Sequence, residues 1–167
     1  MNSKKKIAKK IGLGLLIVLI VIQFVRFDRN SGIAATPNDI NHYTAVPSDV
    51  KTILETSCYD CHSDHTVYPW YSNLQPVGWW LTNHVNEGKR ELNFSKFKSY
   101  RIKRQIDKLQ AIADEVKEDG MPLDSYLWIH GNAKLNDAQK KTIMNWANHN
   151  FDSLAKIYPD SLPKEED

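Results

Sequence analysis

Cysteine occurs twice in this 167-residue chain, and both copies fall in one short run, Cys58-Tyr59-Asp60-Cys61-His62. Closely spaced thiols serve a redox pair, a metal site, a disulfide or a covalently held cofactor, and each demands a different chain around it. A thioredoxin-like pair follows a strand and opens a helix in a βαβ unit. Here the preceding segment from Pro47 places Val50, Ile53 and Leu54 on one helical face, so the motif closes a helix instead. Structural zinc takes four ligands, commonly as two separated pairs. Cys58, Cys61 and His65 supply three, and the other histidines stand singly at 42, 84, 130 and 149. A disulfide across two residues closes so small a loop that it stabilises little through chain entropy. Covalent haem asks only for what is present. Two thiols one helical turn apart add to the two porphyrin vinyl groups, and the next residue, His62, becomes the proximal iron ligand. The motif therefore predicts one covalent haem c on Cys58, Cys61 and His62, with zinc and a disulfide as the alternatives.

A six-coordinate iron needs a second axial ligand, and Met/His ligation raises the reduction potential. Met121 is the first candidate, because Asp119-Gly120-Met121-Pro122-Leu123 follows a helix end and Pro122 stiffens a loop able to present the thioether. Met144 lies mid-helix beside Ile143 and Trp146 and reads as core filler. His84 is the alternative nitrogen ligand.

The N-terminus carries Lys4, Lys5, Lys6, Lys9 and Lys10, followed by an apolar run from Ile11 to Val25 interrupted only by Gln23. Together they predict a transmembrane helix with a cytoplasmic N-terminus, approaching the roughly 20 residues a span requires. A cleaved signal peptide is the competing reading. The expected organisation is a basic flank and anchor over 1–29, a linker over 30–45, a haem-binding domain over 46–150 and a polar tail over 151–167. This places the protein at the inner membrane with its domain facing the periplasm. The chain is +2 overall, but from Asn30 onward 15 Lys and Arg stand against 19 Asp and Glu, a net −4. That excludes a general nucleic-acid binder.

Little β-branched alternation and few glycines argue for an all-α domain of four helices. Besides the one entering the motif, these begin near Pro76 and close at Gly88, run from Ser95 to Gly120, and start at an Asn136 or Asp137 cap. Trp70, Tyr71, Trp79 and Trp80 are candidate haem-pocket residues, weighed against ordinary core packing. The run Lys89 to Lys108 is basic; its bland reading is a solvated helix face. Arg90 is a candidate partner for a haem propionate, and the run is a candidate docking face for an acidic redox partner.

The order of helix, CxxCH, connecting helices, Met-Pro loop and C-terminal helix resembles the class I cytochromes c, with Met121 following His62 by 59 residues. "SCYDCHSDHTVYPWYSNLQPVGWWLTNHVNEGKRELNFSKF" and "MPLDSYLWIHGNAKLND" look more closely like the haem-binding domain family of membrane-anchored bacterial proteins, known mostly from Bacteroidetes. That resemblance implies covalent haem c at Cys58, Cys61 and His62 and a periplasmic location, but no named reaction. The expected function is electron transfer through a His/Met-ligated haem rather than enzymatic turnover. The alternatives are a haem-based sensor with an open distal site and a peroxidase-like enzyme using His84 as distal acid/base.

Overall fold

The computed structural model describes residues 2–44 and 46–162. Its elements are α1 (Asn2–Ile22), α2 (Ile40–Tyr43), α3 (Ser48–Ser57), α4 (Tyr59–His62), α5 (Val77–Glu91), α6 (Ile102–Lys117), α7 (Asp124–Leu127) and α8 (Asp137–Ile157), joined by short 3₁₀ turns. No strand forms among the described residues; Ser31 and His65 make one isolated antiparallel bridge. The all-α expectation holds. α6 and α8 pack along each other and α3 packs on α8. The faces expected of them supply the core: Val50, Ile53 and Leu54 from α3, Leu109 and Val116 from α6, Ile143 from α8. α8 starts where its sequence says it should. Asn136 accepts from the Gln139 backbone N–H at 2.9 Å, and Gln139 returns the bond at 3.0 Å, a complete capping box.

Several boundaries moved for local reasons. The third long helix begins at Ile102 rather than Ser95, because Phe94–Ser99 is a 3₁₀ turn capped by the Asn93 side chain, with Phe94 and Phe97 buried. Residues 30–44 touch the domain in places: Asn30 bonds Ser63 and Thr66, and Asp39 and Ile40 are buried, while most of 31–38 is exposed. α8 continues to Ile157, past the expected end of the domain at 150, and Phe151 and Leu154 pack against the core. Of the expected tail, 163–167 lie outside the described residues.

The largest correction is at the N-terminus. No helix among the described residues is long and apolar enough to cross a membrane. The expected transmembrane helix is overturned, and with it the inner-membrane anchor that would hold the domain towards the periplasm. α1 spends its first turns on the five lysines, so its apolar part, Ile11 to Ile22, rises only about 18 Å against a hydrocarbon core of about 30 Å. The run does not continue because Gln23 turns back onto the domain. Its side-chain amide donates to the Gln75 carbonyl at 3.0 Å and accepts from the Gln75 N–H at 2.9 Å. Two residues on, the Val25 carbonyl accepts from the Trp79 indole at 2.9 Å.

Candidate functional site

α3 breaks at Cys58, whose backbone (φ −127°, ψ −39°) leaves helical geometry, and one further turn, α4, carries Tyr59 to His62. The His62 N–H donates to the Cys58 carbonyl at 3.0 Å, so the two cysteines and the histidine occupy a single compact turn. That turn is bolted down by the two residues between the cysteines. Tyr59 donates to buried Asp39 at 2.9 Å and stacks on Phe94 with ring centroids 5.2 Å apart. Asp60 accepts from the Val67 N–H at 3.0 Å and from the Tyr126 hydroxyl at 2.8 Å.

α5 lies directly against the turn, and Gly88 makes this possible. A methyl group on Gly88 would sit 2.7 Å from the Cys61 carbonyl oxygen, inside any tolerable contact. Gly88 was expected to stop the helix; it lies within α5, three residues before its end, and is there for close approach.

The His62 ring is oriented from behind. Its Nδ1 lies 3.0 Å from the Leu92 carbonyl oxygen. A carbonyl only accepts, so Nδ1 carries the proton and Nε2 is left as a bare lone pair, the tautomer a metal requires. Phe94 meets the ring edge-on at 6.1 Å. Burial holds the His62 imidazole below its ordinary pKa, against hydrogen bonding to the backbone at Leu92 and Gly88, which favours the charged form. An unfolded histidine titrates near 6.5. Below that pH the unfolded chain takes up a proton that the folded chain resists, so folding stability falls as pH drops from about 6.5 through the lowered native value. Urea titrations of the haem-free chain should show this loss, and His62→Gln should flatten it.

Cys58 and Cys61 are free thiols. Burial, joined at Cys58 by the neighbouring Cys61, pushes them up to about 12 and about 11 respectively; at Cys61 the second cause is Asp60. A redox-active pair needs a lowered thiol pKa for attack, the opposite of what burial imposes on both cysteines. For zinc, no group of three His, Cys, Asp or Glu side chains converges among the described residues, and the His65 ring turns to the Gly32 carbonyl.

Two cavities flank the turn. One, enclosing about 850 Å³ with its mouth, brings together Cys58, His62, Phe94 and Met121 on mainly aliphatic walls. The other, about 1270 Å³ on the same measure, holds Cys61, Tyr71, Trp80, His84, Tyr126 and His130. The 121–123 loop spans both, with Met121 in the first and Leu123 in the second.

A family model described as a haem-binding domain matches residues 17–149, about four-fifths of the chain. The protein belongs to the haem-binding domain family. No curated protein and no solved structure matches the chain. The family match starts inside α1, consistent with the packing of Gln23 and Val25 on the domain.

The residues present fit a haem. Largely apolar space beside the turn meets an imidazole with an open Nε2, a thioether and two thiols, one thiol on each cavity. Of the sites expected from the sequence, Cys58, His62 and Met121 share the first cavity. Tyr71, Trp80 and the alternative ligand His84 are in the second, beside Cys61. Trp70 is on the surface, 76% exposed. Trp79 faces Phe27 and Val25 instead, and Arg90 is exposed and pairs with Glu87. Sequence reasoning missed the Leu92 carbonyl, Phe94, Tyr126 and the Lys108–Glu91 pair at 3.3 Å, whose members both line the first cavity. Only Phe94, as an aromatic following the motif's partner helix, left a trace that a reader could have followed.

Proposed function

We propose that this haem-binding domain is an electron carrier with covalent haem c, bonded through Cys58 and Cys61 and ligated by His62 and Met121. When bound, the group supplies an Fe(III)/Fe(II) couple that accepts and returns one electron. The observation that carries the reading is the His62 ring: its Nδ1 is fixed to the Leu92 carbonyl, and its Nε2 stays free in the cavity that Met121 also lines. The raised thiol pKa values suit attachment, because thiols held protonated in a buried turn survive until they add across a vinyl group. His84 is the weaker distal candidate, since it lines the other cavity with its Nδ1 turned to the Trp80 carbonyl at 2.9 Å. The mainly aliphatic lining would lower the polarity around the iron, one of the levers that set its potential.

An acidic partner remains the proposal for the basic segment, although much of it is neutralised internally. Lys89 and Lys96 both pair with Asp64, and Lys108 pairs with Glu91. Docking therefore falls to Lys98, Arg101 and Lys103, which make no ion pair among the described residues; Arg104 makes none either but is held on the Arg90 carbonyl and over the Tyr100 ring.

Met121→Ala tests the assignment. In the haem-loaded chain it should lower the midpoint potential and turn a low-spin ferric spectrum high-spin. A variant indistinguishable from wild type removes Met121 as ligand. A wild-type ferric spectrum that is already high-spin moves the function to a small-ligand-binding module.

A further inference from the structure

We propose that Tyr126 is a positioning residue for the distal ligand: its hydrogen bond to Asp60 straps the Met121 loop to the attachment turn and sets Met121 against the His62 cavity. The inference rests on the electron-carrier reading above and assigns the residue that makes its distal ligation hold.

Met121 is strung between two anchors. On its N-terminal side the Gly120 and Met121 N–H groups both point at the Glu115 carbonyl, at 2.9 and 3.3 Å, which fixes the loop to the end of α6. On its C-terminal side α7 is wound directly onto the loop, with the Tyr126 and Leu127 N–H groups donating to the Leu123 carbonyl at 2.9 and 3.1 Å. α7 has only one turn and no buried residue, so it cannot hold its own position by burial. The Tyr126 hydroxyl does so instead, donating to Asp60 at 2.8 Å across 66 residues of chain. Asp60 stands between the two cysteines and is itself fixed by Val67. The Tyr126 ring is braced on its other side by the His130 ring, stacked at 4.1 Å and 12°. Cutting this strap frees the loop at one end while leaving its α6 anchor intact.

The test uses the full haem-loaded chain and imidazole, which competes with a thioether for ferric iron. Tyr126→Phe keeps the ring and its stacking but removes the donor. It should raise imidazole affinity about tenfold, the effect of losing one charge-assisted hydrogen bond, and weaken the thioether-to-iron absorption. Asp60→Asn offers one neutral acceptor oxygen where Asp60 uses two, for Val67 and Tyr126, and should fall between wild type and Tyr126→Phe, whereas Asp60→Ala should follow Tyr126→Phe. Met121→Ala sets the ceiling. If Tyr126→Phe binds imidazole like wild type while Met121→Ala binds it tightly, the strap is disproved and the ligand assignment survives. If Met121→Ala also leaves imidazole binding unchanged, the ligand assignment falls and the strap falls with it. Near-ultraviolet circular dichroism of the variants, unchanged from wild type, separates loop release from global loosening.

Discussion

Replacing Cys58 and Cys61 together with alanine is expected to convert a haem that stays with the polypeptide in acidified acetone into one that is wholly extracted. The effect is all-or-none, because the proposed thioethers are covalent bonds, whereas axial ligation alone does not survive protonation and denaturation. Single variants should keep the haem through the remaining sulfur, with the absorption of a porphyrin retaining one vinyl group. Cys58 opens on one cavity and Cys61 on the other, so the single variants also report which thiol the haem reaches. Mass spectrometry of wild type provides the second reading. A polypeptide mass without the added haem, in cells equipped for attachment, would leave a non-covalent haem-binding domain and remove the c-type assignment.

Phe94→Ala should be the most damaging single change to the fold near the site, at about 3–5 kcal/mol. Phe94 is 1% exposed, stacks on Tyr59 and meets His62 edge-on. Its removal opens a void under the attachment turn and withdraws the platform behind the ring. A domain of this size has only about 5–15 kcal/mol in all, so the haem-free variant should lose a large share of its stability and unfold at much lower urea. Ligand linkage then predicts that haem loading recovers part of the loss. Urea midpoints of both forms measure it, and a haem-free loss under about 1 kcal/mol would mean that the turn is held by Asp39 and Tyr59 alone.

The features legible in the sequence were those carried by local periodicity or fixed spacing. Val50, Ile53 and Leu54 marked their buried face, Asn136 marked a helix start, and Cys58, Cys61 and His62 declared a chemistry that the family match supports as far as haem binding. What escaped was set by tertiary approach. Gly88 has the local appearance of a helix stop, and only the proximity of Cys61 shows why it stays helical. Gln23 looked like a single polar interruption in an apolar run, yet its reciprocal bonds to Gln75, 52 residues away, end that run as a helix. Of four aromatic pocket candidates, Tyr71 and Trp80 reached a cavity with a cysteine, while Trp70 and Trp79 did not. Hydrophobicity alone cannot choose among neighbours that face different partners.

The partner chosen for His62 has a genetic consequence. The acceptor behind the ring is a main-chain oxygen at residue 92, so no codon specifies it. The side chain at 92 is free to change, within its packing, without altering the tautomer or the aim of the imidazole. Random mutagenesis screened for loss of ligation should therefore tolerate apolar replacements of the buried Leu92 and speak at positions that hold this backbone in place. Gly88 and Phe94, on either side of that carbonyl, are where such hits should accumulate.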